Sequence, residues 1–322
     1  MIIGHNKQWE FLSRCIQNDK VAHAYLFYGP LNIGKRTIAM EFIKLLNCCN
    51  SDIVPCGKCE SCKGFENGFS RNLFFLKPEP PENSDKEDKS KNLAIRIEKI
   101  SELKSELSLS SADSGYKTAI IDNAGAMTYD AQGALLKILE EPKGKTVIIL
   151  IVEQSDQLLS TIVSRCQLVR FDLLREKDIE ESLVKDNIPK KLAEEISWLS
   201  FGRPGLAMEY YRNPEMAGLQ KKRITDIIKL SKAPLIFRFR YAETLAKNTE
   251  EMRCSLNVWL SYFRELLLES LGKGKNTFVP AGGDYSQAKI RSIIGLIEKI
   301  GFVIKTTNTN PRLALEILLM KI

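Results

Sequence analysis

No apolar run of roughly 18 residues or more occurs anywhere in the 322-residue chain, which excludes a helical membrane span. The opening residues, MIIGHNKQWEF, have neither a basic start nor a long apolar stretch. No secretory leader is read there, and a cytoplasmic location is expected. Neither sign of charge dominates, since 47 Lys and Arg stand against 40 Asp and Glu, a formal net charge of +7. That excess permits contact with nucleic acid without requiring it. No internal repeat or heptad array is visible. What is present is ordinary for a globular protein: 44% hydrophobic and 27% charged residues, which excludes wholesale disorder. At roughly 100–200 residues per domain, the length predicts two or three domains.

Cysteine is distributed unevenly. Of the 8 cysteines, Cys48, Cys49, Cys56, Cys59 and Cys62 crowd together, while Cys15, Cys166 and Cys254 stand apart. In a reducing compartment such a cluster points to a metal site rather than a disulfide framework. Cys56-Gly-Lys-Cys59-Glu-Ser-Cys62 sets three thiolates in a tight knuckle, and either Cys48 or Cys49 would close a tetrahedral shell around zinc. Four thiolates leave no open position for water, so the site is expected to be structural.

Ala24–Tyr28 reads as a buried strand ending at Gly29-Pro30. Gly29 to Gly34, Lys35, Arg36 and Thr37 follow, and then a helical stretch to Leu46. Strand, glycine loop and helix form the context of a phosphate-binding loop, with backbone N–H groups facing phosphate and Lys35 supplying charge. The pattern wants a hydroxyl directly after the lysine to hold magnesium. Arg36 stands there instead, and Thr37 lies one residue later, about 100° further round the helix. Tyr116–Asp122 reads as a second buried strand ending in a carboxylate. The residue after it, where a P-loop ATPase has a glutamate to activate water, is Asn123, and an amide does not act as a general base. The two departures predict a site over Gly29, Gly34, Lys35, Thr37 and Asp122 that does not hydrolyse ATP alone. They leave open whether nucleotide binds without turnover.

Residues 77–92, KPEPPENSDKEDKSKN, carry proline and charge without an apolar anchor and read as a mobile surface insertion. Ile95, Ile97, Ile100, Leu103 and Leu107 predict an amphipathic helix whose Arg96, Lys99 and Lys104 form either a solvated or a phosphate-contacting face. A helix over 131–141 is stopped by Pro142, and Thr146–Val152 is a third buried strand. Ser164-Arg165-Cys166 and a strand-like 167–171 follow. Beyond Arg175 the pattern is helical, with a loop at Gly272–Gly283. Its apolar stripes suit a core or an interface.

In order and spacing, HAYLFYGPLNIGKRT, the cysteine module, ALLKILEEP and STIVSRC resemble bacterial clamp-loader subunits of the AAA+ class, and the delta-prime family among them. The resemblance covers about residues 1–172. It implies an α/β P-loop (AAA+) domain over 1–172 with the zinc module at about 48–62. A small helical lid over 173–217 and an all-α oligomerisation collar over 218–322 would follow. It also implies a heteropentameric ring with tau/gamma and delta subunits that opens a sliding clamp and loads it on primed DNA. Such a subunit belongs to a DNA polymerase holoenzyme even if it has no ATPase activity of its own. Arg165 would be an arginine finger offered in trans to a neighbour's γ-phosphate, with Cys166 as packing. Arg36 and Asn123 match the ATPase-silent kind of subunit, and an ATP-hydrolysing tau/gamma type is the alternative. The lid arginine of active relatives falls near Gly205, and the offset Arg203 does not inherit that role.

Overall fold

The computed structural model describes residues 2–49, 54–66, 72–80, 93–108, 115–272, 285–307 and 309–322. The chain divides into two compact units, Met1–Leu174 with Arg203–Gly205, and Arg175–Gly202 with Leu206–Ile322.

The first unit runs α1 (Asn6–Gln17), β1 (Ala24–Tyr28), α2 (Lys35–Leu46), α3 (Glu60–Glu66), β2 (Leu73–Leu76) and α4 (Ile97–Ser108). It continues with β3 (Lys117–Ile121), α5 (Tyr129–Glu140), β4 (Thr146–Val152), the single turn α6 (Ser160–Val163) and β5 (Gln167–Arg170). The five strands form one sheet in the order β2-β3-β4-β1-β5, and every neighbouring pair is parallel. A parallel sheet covered on both faces needs strands that are apolar throughout, and TVIILIV of β4 is buried at every position.

Strand alternation then sorts the side chains between two cores. Ile148, Leu150 and Val152 of β4 join Leu26 of β1 and Ile121 of β3 on one face, packed under α4 and α5. Val147, Ile149 and Ile151 join Tyr25, Phe27 and Ile120 on the other, against Ile38, Phe42 and Ile43 of α2. Burying one such large side chain contributes about 1.5–3 kcal/mol. The architecture is therefore a mixed α/β fold of AAA+ type, with the strand ends and the loop after β1 at one edge of the sheet, where open α/β sheets bind ligands.

Several elements depart from the sequence pattern. The amphipathic helix starts at Ile97, which is exposed, while Ile95 is buried ahead of it and pairs as a bridge with Met127. Ile100, Leu103 and Leu107 carry the buried face. Strand β2 was not anticipated. It lies at the sheet edge and is only half-buried, so its apolar run is short. Of the expected insertion, residues 81–92 lie outside the described residues. Glu79, just before them, is tied to Ala94 by a reciprocal backbone pair, and Arg96 donates to the Glu79 and Pro80 carbonyls.

The second unit is helical throughout its described residues. It comprises α7 (Glu176–Lys185), α8 (Lys190–Leu199), α9 (Pro204–Arg212, whose first two residues belong to the first unit), α10 (Pro214–Lys232), α11 (Leu235–Ala246), α12 (Thr249–Ser270), α13 (Gln287–Thr306) and α14 (Pro311–Lys321). Residues 273–284, most of the expected loop, lie outside the described residues. Trp259 is fully buried, and its indole N–H donates to the Arg223 carbonyl at 3.1 Å. Arg223 in turn forks onto Glu251 at 2.9 and 2.7 Å, a bidentate pair that joins α10 to α12.

Glu176, at the start of α7, is pushed up to about 7 from an ordinary value of 4.5, first by burial and then by the carboxylates of Glu265 and Glu180. The native state therefore keeps this proton longer than the unfolded chain, and stability falls as pH rises from about 4.5 to about 7. Glu176→Gln is expected to be more stable than the parent at pH 8 by about 1–2 kcal/mol, less than full linkage because the carboxyl is partly solvated. The two proteins should be equally stable at pH 4. Urea unfolding at the two pH values checks this, and equal midpoints at pH 8 would contradict it.

Candidate functional site

The loop after β1 is shaped by close approach. Gly29 has φ 147, and a Cβ there would lie 2.1 Å from the Phe171 carbonyl oxygen, so only glycine fits. Gly34 caps α2 in the left-handed region at φ 96. The loop is also clasped from outside: the His5 Nε2–H donates to the Ile33 carbonyl at 2.8 Å, and burial holds the imidazole pKa below its ordinary value. Sequence reasoning missed His5, because a histidine just before an amphipathic helix carries no motif.

Lys35 begins α2 and is buried. Its ammonium donates to the Gly29 and Pro30 carbonyls, each at 2.6 Å. Burial lowers its pKa to about 8, and the nearby Glu153 and Asp122 oppose that shift. Arg36 lies over the Phe75 ring, 4.5 Å from its centroid, and its Nη1 is 3.9 Å from Asp122 Oδ2. The guanidinium thus stands beside the carboxylate that follows the end of β3. Thr37 is exposed on α2. Asn123 adopts φ 50, and its N–H donates to Asp122 Oδ1 at 3.1 Å. The side chains gathered here are two cations and two carboxylates, Lys35 and Arg36 against Asp122 and Glu153.

The segment expected to lack a lid arginine closes on the same loop. The Gly205 N–H donates to the Asn32 carbonyl at 2.8 Å, and a Cβ on Gly205 would lie 2.6 Å from that oxygen. No larger residue fits at 205 without a backbone shift.

At the cysteine cluster, the sulfur atoms of Cys48, Cys56, Cys59 and Cys62 all lie within 4.8 Å of one another. Cys56 and Cys62 sulfurs are 4.0 Å apart. Zinc–sulfur bonds of about 2.3 Å at tetrahedral angles set sulfurs roughly 3.8 Å apart, so the four residues fit such an ion with slight contraction. Backbone N–H groups point at the sulfurs, Cys56 to Cys48, Cys59 to Cys56 and Cys62 to Cys59, each at 3.4 Å. That donor pattern suits thiolates. The Cys62 and Cys49 backbone N–H groups lower the Cys59 pKa to about 6, while burial pushes the Cys62 thiol up to about 12. The exposed Cys49 lies outside the four, so the cluster capable of holding a metal uses Cys48.

Arg165 follows α6 and is exposed. Its Nη1 donates to the Thr161 carbonyl at 3.0 Å and its Nη2 to Glu140 Oε1 at 2.9 Å. Cys166 packs against the core, and burial raises its pKa to about 11. On α4, Lys99 pairs with Glu102 at 3.2 Å.

The family described as "DNA polymerase III, delta subunit" matches residues 4–175, more than half of the chain. The chain is 29% identical over 265 residues to DNA polymerase III subunit delta' of Bacillus subtilis, an alignment covering 82% of this chain and 72% of that protein. It is 38% identical over 146 residues to subunit delta' of Pseudomonas aeruginosa, covering 45% and 42%. It is 31% identical over 175 residues to subunit tau of Bacillus subtilis, covering 54% and 28%. The last two alignments thus span less than half of the relatives' own lengths.

Proposed function

Because the chain belongs to the DNA polymerase III delta-subunit family of bacterial AAA+ clamp-loader proteins, we propose that it is a clamp-loader subunit of delta-prime type that does not hydrolyse ATP itself. Its place would be in a pentameric ring with tau/gamma and delta subunits, and it would supply Arg165 to a neighbour's ATP site while that ring opens a sliding clamp for primed DNA. The observation that carries the reading is the Arg36–Asp122 pair, 3.9 Å apart. A guanidinium beside the carboxylate competes with magnesium for it, and Asn123 offers no base for the attacking water. The exposed position of Arg165 supports delivery to another chain rather than to its own pocket.

In this reading residues 1–172 form the AAA+ domain, 173–217 a lid and 218–322 the collar. The four cysteines hold structural zinc. No helix among the described residues is long and apolar enough to cross a membrane, and the replication machinery of a bacterium would place the protein in the cytoplasm.

An ATP-hydrolysing tau/gamma type is the second reading. It is favoured by the intact glycine loop with its lysine and by the likeness to subunit tau. Turnover separates the two: the purified chain alone is expected to show none, with or without DNA, and hydrolysis at the rate of an active clamp-loader ATPase would sink the first reading. Arg36→Thr is expected to release Asp122 and to tighten magnesium-dependent nucleotide binding, on the order of 10-fold for one charge-assisted contact exchanged. Titration of a fluorescent ATP analogue with and without magnesium checks this. Unchanged affinity would mean that the Arg36–Asp122 pair is not what weakens the site.

A further inference from the structure

We infer that Glu140 is a positioning residue for Arg165, presetting the guanidinium for delivery to the neighbouring subunit; the inference rests on the proposed finger role of Arg165. Glu140 is the last residue of α5, a helix whose Leu135, Ile138 and Leu139 are buried against the sheet. Its backbone is therefore held by the core while its carboxylate stands half-exposed. Arg165 lies beyond the single turn α6, anchored there by buried Ile162 and by its own N–H on the Ile162 carbonyl at 3.0 Å.

The two ends meet with a definite geometry. One terminal nitrogen of Arg165 takes Glu140 Oε1 at 2.9 Å and the other takes the Thr161 carbonyl at 3.0 Å. The guanidinium carries five N–H groups, and these contacts use only two of them. The remaining donors make no hydrogen bond among the described residues. A carboxylate acting to sequester the finger would take both terminal nitrogens in a parallel fork. Here one of them is given to a backbone carbonyl, which carries no full charge to compete with phosphate. Half-exposed ion pairs contribute little to stability, so the consequence of this one is orientation: a long, mobile side chain arrives at the interface with its head already set. Preset geometry acts on the chemical step, since misplacement of a reacting or stabilising group slows turnover without weakening substrate binding.

The test uses the full complex assembled from purified subunits, with this chain as parent, Arg165→Ala, Glu140→Ala or Glu140→Gln, and reads kcat and KM for ATP together with the melting temperature of each variant. Glu140→Ala is expected to lower kcat at the served site on the order of 10-fold with KM unchanged. Glu140→Gln, whose amide oxygen still accepts from the guanidinium, is expected to restore most of that loss. Both should melt as the parent does, as surface substitutions. If Arg165→Ala abolishes turnover at the served site while Glu140→Ala leaves it unchanged or raises it, the positioning role is wrong and the finger role stands. Equal losses in the Ala and Gln variants also overturn it. If Arg165→Ala itself changes nothing, it is the finger reading that fails.

Discussion

Replacing Arg165 with alanine is expected to remove nearly all ATP turnover at the one neighbouring site this chain serves, while the chain itself folds and assembles normally. Stabilising charge on a transferring phosphoryl group by an arginine from an adjacent chain is worth about 10³–10⁵ in rate in GTPases. By contrast, the Arg165–Glu140 pair is half-exposed at 37% and 50%, and such pairs contribute about 0.2–1 kcal/mol to stability. The two magnitudes separate the effects: a large loss of turnover with an unmoved melting temperature is the signature of a group acting on the chemistry rather than on the fold. Lysine at 165 is expected to rescue little, because its ammonium is a point charge without the fork that engages phosphate oxygens. Steady-state hydrolysis by a complex in which only the abutting site is competent measures this directly. Parental rates in the alanine variant would remove the trans role from Arg165 altogether.

Loss of the metal is expected to have the second large effect, on folding rather than on chemistry. Structural zinc contributes about 10–16 kcal/mol of apparent binding free energy in small zinc domains, much of it spent on folding the site. Cys48 leaves the end of α2, and Cys62 sits buried in α3. Metal release therefore leaves four thiols gathered within 4.8 Å with nothing to hold them. The purified protein is expected to carry one equivalent of zinc. Cys59→Ser should lose it, melt at a lower temperature and become open to proteolysis within 48–66, while Cys49→Ser should keep both metal and stability. Elemental analysis with limited proteolysis reads both arms. A native protein that is fully folded and metal-free would defeat the assignment.

Residue pattern carried the central strands well. Ala24–Tyr28 and Thr146–Val152 are continuous apolar runs because a doubly covered parallel sheet buries its inner strands: every position of β4 is buried, and every position of β1 except Tyr28. At the edges the signal thins. Half-buried β2 went unread, and three of the four residues of β5 are exposed. Helix α1 also went unread. Only Leu12 and Ser13 of its twelve residues are buried, so little of its length reports on the core.

The chemistry divides in the same way. Cysteine spacing, the glycine loop and the Ser-Arg-Cys triplet are local features, legible because a knuckle, a phosphate loop and a turn are built by consecutive residues. The residue types at Arg36 and Asn123 were enough to argue against hydrolysis. That Arg36 reaches Asp122 across 86 positions of sequence, that Gly205 closes on Asn32, that His5 clasps the loop and that Glu140 holds Arg165 were decided by tertiary folding alone. Hydrophobic periodicity records which side of an element is dry. It does not record which polar groups from distant elements come within hydrogen-bonding distance, because that depends on how the sheet and helices pack, and each such contact involves only one polar group, backbone or side chain, from each partner.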